Sequence, residues 1–379
     1  MKFNKTISTA FLLLFIAAFV NLKAQTTISA SFLFEGLTRN YRIYIPESYT
    51  SNNPVPLLFN LHGYSSNNVE QELYADFRPI ADTANFIIVH PNGTPDGNGQ
   101  LNWNNFGLSQ INDLGFLNAL IDTISNNYSI NANRIYSTGM SNGGFMSYDL
   151  ACQLSNRIAA IASVTGSMLT LKLNACNPTR VMPIMQIHGT ADATIPYFGN
   201  FVFAPVETLV QTWAEKNNCN AQPIQTEVPN VNTTDLTTAT RFLYTGGTNG
   251  NTVEFYKVSG GGHSWPGAPI NVNITNMDFN ACKEIWRFFS QYSLNNTASI
   301  ANIKQSSPVV FPNPSNNNFN LNLTEIGVAD VQVYNQLGQL VIENKNASGI
   351  ISFKLPCDGV FFLLLNGDKT SAQKIIQLP

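Results

Sequence analysis

Charge is scarce in this chain of 379 residues: Asp, Glu, Lys and Arg together make up 11%, and the formal net charge is −3. No run of Lys or Arg occurs, which removes the electrostatic footprint that nucleic acid binding needs, so nucleic acid is excluded as a partner. Asn, Ser and Thr fill the surface-like stretches instead, a composition that suits an exported protein. There are four histidines, dispersed and without an H-E-x-x-H pair, so no metal site is expected. Walker and dinucleotide glycine patterns are also missing, and no cofactor is expected. The five cysteines, Cys152, Cys176, Cys219, Cys282 and Cys357, show no C-x-x-C spacing, which argues against a zinc site or a redox pair. In an oxidising compartment the first four allow three disulfide connectivities, with Cys357 left over.

Beyond the N-terminus no apolar run reaches transmembrane length, so stable membrane insertion is not expected. The N-terminus itself carries Lys2 and Lys5, an apolar stretch from Ala10 to Val20 and a small residue at Ala24. This pattern predicts a secretory signal peptide over residues 1–24 and a secreted protein, outside the cell or on its outer surface. A membrane anchor is the alternative, disfavoured by the short run and the lack of a stop-transfer pattern.

With 44% hydrophobic residues, the remainder is long enough for one sizeable core and a smaller module. Residues 25–293 alternate short β-rich runs with longer helical ones, the pattern of a mostly parallel sheet covered by helices. Strands are expected at Val55–Leu61, Phe86–Val89, Arg134–Thr138, Ile158–Val164, Val181–Ile187 and Val253–Val258. Helices are expected from Asp113, which can cap one, from Gly143 and Gly144 to about Leu154, and over Ala281–Phe289. Residues 294–307 are polar and aperiodic, a linker. Residues 308–379 then alternate with period two, as at Phe319, Leu321 and Leu323, and predict a small all-β sandwich.

The sharpest local feature is the G-x-S-x-G at Gly139–Gly143, set between an expected strand and an expected helix. Alone the pattern is weak, but this placement puts Ser141 on a sharp turn above the sheet edge as a nucleophile. A serine hydroxyl needs an imidazole to take its proton. Of the four histidines, His263 alone is at once downstream, loop-borne and flanked by glycines; His62, His90 and His188 are expected to be structural. Asp192, directly after the strand Val181–Ile187, completes the order Ser, Asp, His, ahead of Asp113 and Asp278 as the orienting acid. The oxyanion donors are expected to be the backbone N–H groups of Asn142, the residue after the nucleophile, and of Tyr64 in the 62–64 loop, favoured over that of Gly63. Tyr64, Trp103, Phe106, Tyr197 and Trp265 fall in loops on the same side, and Trp265, Trp103 and Tyr197 are the expected substrate contacts.

The segments LHGYSSN (61–67), DLGFLNALID (113–122), GMSNGG (139–144), HGTAD (188–192) and GGGHSWPG (260–267) resemble the secreted polyhydroxybutyrate depolymerase and feruloyl esterase family. The resemblance covers nearly all of the catalytic region, with the motifs in the family's order. It implies an α/β-hydrolase acting on carboxylic esters, with Ser141, Asp192 and His263 at the triad positions. It also implies an ester-bearing polysaccharide or polyester as substrate: feruloyl or acetyl esters of plant xylan, or polyhydroxybutyrate. The tail, with FPNPSNNNFNL, VQVYNQLGQLV and GVFFLLL, is similar to the C-terminal sorting domain of type IX secretion, departing from it at Ser315–Asn318 and Phe361. That implies the type IX machinery as a partner; a carbohydrate-binding β-module is the alternative. Against the esterase stands a non-catalytic polymer-binding protein that keeps the fold. The presence of all three triad residues together favours the enzyme.

Overall fold

The computed structural model describes residues 26–270, 272–294, 309–315, 318–323, 328–365 and 373–378. The expected signal peptide, and residues 295–307 of the expected linker, lie outside them. Two units can be distinguished, Met1–Thr297 and Ala298–Pro379.

The first unit is built on strands β1 (Thr26–Phe34), β2 (Leu37–Ile45), β3 (Val55–Leu61) and β4 (Ile87–Pro91), then a two-stranded ribbon of β5 (Thr94–Pro95) and β6 (Leu101–Asn102). It continues with β7 (Ile130–Met140), β8 (Ala160–Val164), β9 (Ile184–Gly189), β10 (Ile224–Glu227), β11 (Thr238–Tyr244) and β12 (Val253–Ser259). All but the ribbon form one ten-stranded sheet in the order β1-β2-β4-β3-β7-β8-β9-β12-β11-β10. Pairing is parallel from β4 through β12 and antiparallel at both margins.

β3, β4, β8 and β9 are buried at every position, as strands covered on both faces must be. Alternate side chains of β3 enter opposite layers. Leu57, Phe59 and Leu61 join the core layer that holds residues of α3 (Asp113–Asn127), α4 (Asn142–Gln153) and α6 (Val206–Lys216), and Leu58 joins the layer that holds residues of α2 (Arg78–Ala84) and α7 (Ala281–Phe289). The short helices α1 (Asn68–Tyr74) and α5 (Thr170–Ala175) sit in the loops. From β3 the chain passes outward to β4, then returns to β7 on the other side of β3. The C-terminal ends of β3 and β7 therefore flank a topological switch point, where open α/β sheets form their crevice.

Asp113 does not cap α3. That position belongs to Asn112, whose side chain accepts the Gly115 N–H at 2.9 Å. The Asp113 carboxylate instead pairs with buried Arg39 at 2.6 Å and accepts the Asn104 N–H at 2.7 Å, anchoring the start of the 104–112 loop. None of the three two-bridge connectivities is completed: the structure forms Cys152–Cys176 alone and leaves Cys219 and Cys282 as free thiols.

The second unit comprises β13 (Val309–Phe311), β14 (Phe319–Asn322), β15 (Ala329–Asn335), β16 (Leu340–Ala347), β17 (Ile350–Phe353), β18 (Gly359–Leu365) and β19 (Gln373–Gln377). Two antiparallel sheets, β13-β14-β17 and β16-β15-β18-β19, enclose Phe319, Leu321, Val331, Val333, Phe361 and Leu363. The period-two alternation is the direct cause, since it gives each strand one apolar face. No helix among the described residues is long and apolar enough to cross a membrane.

Candidate functional site

Ser141 joins β7 to α4 with φ 52° and ψ −118°, a conformation that L-residues avoid and that costs of order 1–3 kcal/mol. Its surroundings hold it there. The Ser141 N–H donates to Val164 O at 2.8 Å, and its carbonyl accepts the Phe145 N–H at 3.0 Å as α4 begins. A Cβ on Gly139 would stand 2.6 Å from the Gly143 carbonyl carbon, and one on Gly143 would collide with the Leu61 carbonyl. The glycines thus let α4 seat directly on the ends of β3 and β7.

His263 lies in the loop after β12. The Ala191 N–H donates to Gly261 O at 2.9 Å and the Gly262 N–H to Ile274 O at 2.8 Å, so this loop is tied to the Asp192 loop on one side and to residue 274 on the other. His263 Nδ1 stands 2.8 Å from Asp192 Oδ2. A carboxylate can only accept, so Nδ1 carries the proton and Nε2 is left as a base. The Asp192 side chain has no solvent exposure, and its Oδ1 accepts the Thr194 and Ile195 N–H groups at 2.8 and 2.9 Å. Burial alone would push its pKa up. The hydrogen bond and charge of His263, with His188 and the Ile195 N–H, outweigh burial and hold the carboxyl below its usual range.

Ser141 and His263 line one cavity of about 350 Å³. Tyr64, Leu73, Tyr74, Met140, Ile270 and Val272 give it apolar walls, with Glu70 and Gln71 as polar members. Tyr74 also accepts the Trp265 N–H on its hydroxyl at 3.0 Å, joining α1 to the loop of His263.

Behind Ser141 runs the 62–64 loop. A Cβ on Gly63 would lie 3.5 Å from both Met140 O and the Ser141 Cβ. His62 is a structural element of this loop: its Nε2 accepts the Gly93 N–H at 3.0 Å, so Nδ1 carries the proton and donates to Gly63 O at 2.7 Å. Burial lowers its pKa to about 4 and keeps the ring neutral. Asn142 opens α4, where a backbone N–H has no partner within the helix. Its side chain accepts the Trp103 N–H at 2.7 Å and donates to Trp103 O at 3.2 Å and Asn105 Oδ1 at 3.0 Å.

The structure corrects the expected aromatic contacts. Trp103, Trp265 and Tyr197 are 0%, 1% and 4% exposed, and none lines the cavity. Their large apolar rings are drawn into the two core layers, and closeness in sequence to the site does not decide which way a loop residue turns. Trp103 donates its indole N–H to His62 O at 2.9 Å, Trp265 packs edge-on against Phe77, and Tyr197 bonds Glu207 at 2.7 Å. Leu73, Tyr74, Ile270 and Val272 were not expected as lining residues. Ile270 and Val272 alternate with polar residues in the sequence, and each of the two lies outside any helix or strand. Among the described residues no three His, Cys, Asp or Glu side chains converge to hold a metal ion.

Comparison with known proteins places the chain in a family. The chain is 28% identical over 268 residues to a bifunctional acetylxylan esterase/xylanase of Neocallimastix patriciarum, covering 70% of this chain and 35% of that protein. It is 28% identical over 269 residues to feruloyl esterase D of Neurospora crassa, covering 68% of this chain and 83% of that protein. The chain thus spans about a third of the first relative and most of the second. Among solved structures, the acetyl xylan esterase from Aspergillus awamori superposes with a TM-score of 0.47 at 14% identity, over 66% of this chain and 94% of that one. Residues 309–377 match the secretion system C-terminal sorting domain. Residues 56–246, just over half of the length and spanning β3 through β11, match the phospholipase/carboxylesterase family, to which this α/β-hydrolase chain belongs.

Proposed function

We propose that the chain is an exported serine esterase that cleaves esters of bulky, aromatic carboxylic acids carried on plant xylan. The observation that carries this reading is the opening of Ser141 and the Asp192-bonded His263 onto one apolar cavity. His263 Nε2 takes the Ser141 proton as the hydroxyl attacks the ester carbonyl, and Asp192 stabilises the imidazolium that results. The backbone N–H groups of Asn142 and Tyr64 receive the developing oxyanion, each worth about 2.7–4 kcal/mol in the transition state. His263 returns the proton to the leaving alcohol, and water then releases the acid from Ser141 by the same route in reverse. A cavity of about 350 Å³ walled by Leu73, Tyr74, Ile270 and Val272 exceeds what an acetyl methyl can fill and suits a planar aromatic acyl group. The sorting domain supports delivery to the outside of the cell by type IX secretion, where such polymers are met.

The test has two parts. Ser141→Ala is expected to lower turnover of a simple aryl ester by about four orders of magnitude and to abolish labelling by a fluorophosphonate. Retention of a tenth of the activity ends the assignment. Side-by-side assays on methyl ferulate, acetylated xylan and a polyhydroxybutyrate film then read the acyl preference, with methyl ferulate expected to lead.

A further inference from the structure

The acid of the site has a second imidazole against it. His188 lies at the end of β9, fully buried, with its Nε2 at 2.9 Å from Ile195 O and 3.4 Å from Asp192 Oδ2, the oxygen that also receives His263. The proton on this ring can be placed by following the bonds behind it. Gln186, two residues earlier on β9 and fully buried, must turn its amide nitrogen to the Gly166 carbonyl at 2.8 Å, because a carbonyl only accepts. Its amide oxygen accepts the Tyr148 hydroxyl at 2.8 Å. The same amide nitrogen stands 3.0 Å from His188 Nδ1, so Nδ1 is the acceptor and Nε2 carries the hydrogen.

We infer that His188 is a positioning residue for the acid: the Tyr148–Gln186 pair locks it as the Nε2–H tautomer, and that N–H, donated to Ile195 O with Asp192 Oδ2 3.4 Å away, fixes the 192–195 turn whose Ile195 N–H holds the carboxylate toward His263. Ile195 closes the arrangement, donating its N–H to Asp192 Oδ1 while its carbonyl accepts from His188. The inference rests on the triad reading proposed above. It also assigns a reason for neutrality. An imidazolium at 188 would share the carboxylate's charge and weaken its hold on the imidazolium that forms at His263 during attack. Burial works in that direction, lowering the His188 pKa against the opposing pull of Asp192. The titratable groups facing His188 are Asp192 and His263 from the two loops, Tyr148 through Gln186, and the ring of Tyr197 at 6.2 Å.

The experiment compares His188→Leu, His188→Gln and Gln186→Met with Ser141→Ala in the full chain, reading kcat, KM, the kcat/KM profile against pH and thermal stability. His188→Leu is expected to lower kcat roughly a hundredfold with KM within about twofold, the size of loss that follows from a misplaced catalytic group. It should also move the acid limb of the kcat/KM profile. His188→Gln, which can offer an amide N–H to the same Ile195 carbonyl, is expected to recover most of kcat. Gln186→Met leaves the ring in place but frees its tautomer, and is expected to lower kcat about tenfold; it carries the test if His188→Leu does not fold. A folded His188→Leu or Gln186→Met enzyme with wild-type kcat and pH profile overturns the inference, as does a His188→Gln variant no better than His188→Leu. Activity surviving in Ser141→Ala would instead overturn the triad reading, so the two failures are told apart.

Discussion

Trp103 and Asn142 clasp each other in both directions: the Trp103 N–H donates to Asn142 Oδ1 at 2.7 Å, and Asn142 Nδ2 donates back to Trp103 O at 3.2 Å. The Trp103 indole N–H meanwhile holds His62 O at 2.9 Å. One buried residue therefore spans the two chain segments proposed to supply the oxyanion donors, the start of α4 and the 62–64 loop. Trp103→Phe keeps the packing and the backbone clasp but leaves the buried His62 carbonyl without its donor. We expect kcat to fall roughly tenfold with KM nearly unchanged, less than the hundredfold or more that follows outright loss of an oxyanion donor. Unchanged kcat in a stably folded variant would show that the loop keeps its shape without the indole.

The chemistry and the fold were legible in the sequence to different depths. The strands β3, β4, β8 and β9 announce themselves because burial on both faces favours mostly apolar runs, broken only by single buried polar residues such as Asn60, His90 and Gln186. The antiparallel margins do not: β10, Ile224–Glu227, is exposed throughout, so nothing in its composition separates it from a loop. Ser141, Asp192 and His263 stand at loop positions that follow strands, and chain order alone suggests their roles. Trp103 and Trp265 misled because an indole in a loop near the site reads equally as a contact or as a brace. Only the three-dimensional partner, His62 O or Phe77, tells these apart. The His188 network was beyond reach for the same reason, since its meaning lies in which nitrogen faces which oxygen.

The buried histidines make acid stability a second test. Burial lowers the pKa of His62 and of His90 to about 4 and shifts His188 the same way, whereas an unfolded histidine titrates near 6.5. Below that value the unfolded chain binds protons that the folded one refuses. The stabilising contribution is therefore complete above about pH 6.5 and is lost as the pH falls toward 4, by at most about 1.4 kcal/mol per pH unit for each ring. Urea unfolding at a series of pH values should show the midpoint falling between pH 6.5 and 4.5. His90, whose two ring nitrogens have no hydrogen-bond partner among the described residues, is the position for a control: His90→Asn should flatten that slope. A midpoint constant over this range would mean that these rings accept protons in the folded state.

The Cys152–Cys176 bridge closes a loop between the end of α4 and the residue after α5, with a sequence separation of 24. A closure of this length is worth about 3.5 kcal/mol through the unfolded state. Reduction, or the Cys152→Ala/Cys176→Ala pair, should lower the unfolding midpoint by a corresponding amount while leaving KM unchanged, because the bridge lies outside the cavity that holds Ser141. Treatment with reductant that leaves the midpoint in place would show that the bond is not made in the folded protein.

The apolar wall of the cavity gives the substrate proposal its own handle. Leu73 and Val272 line the cavity with apolar side chains that take no part in the proposed proton transfer, so their replacement changes its volume and leaves that chemistry in place. Val272→Trp should fill the space an aromatic acyl group needs, lowering kcat/KM for methyl ferulate by tenfold or more while an acetyl ester retains activity within about twofold. Leu73→Ala removes apolar contact from the same group and should cost about 1–2 kcal/mol, a roughly tenfold loss expressed mainly in KM. If both variants lose the two substrates in parallel, the cavity is not where the acyl group is read. A larger loss on the acetyl ester than on methyl ferulate would place the aromatic ring outside it, on the leaving-alcohol side of His263.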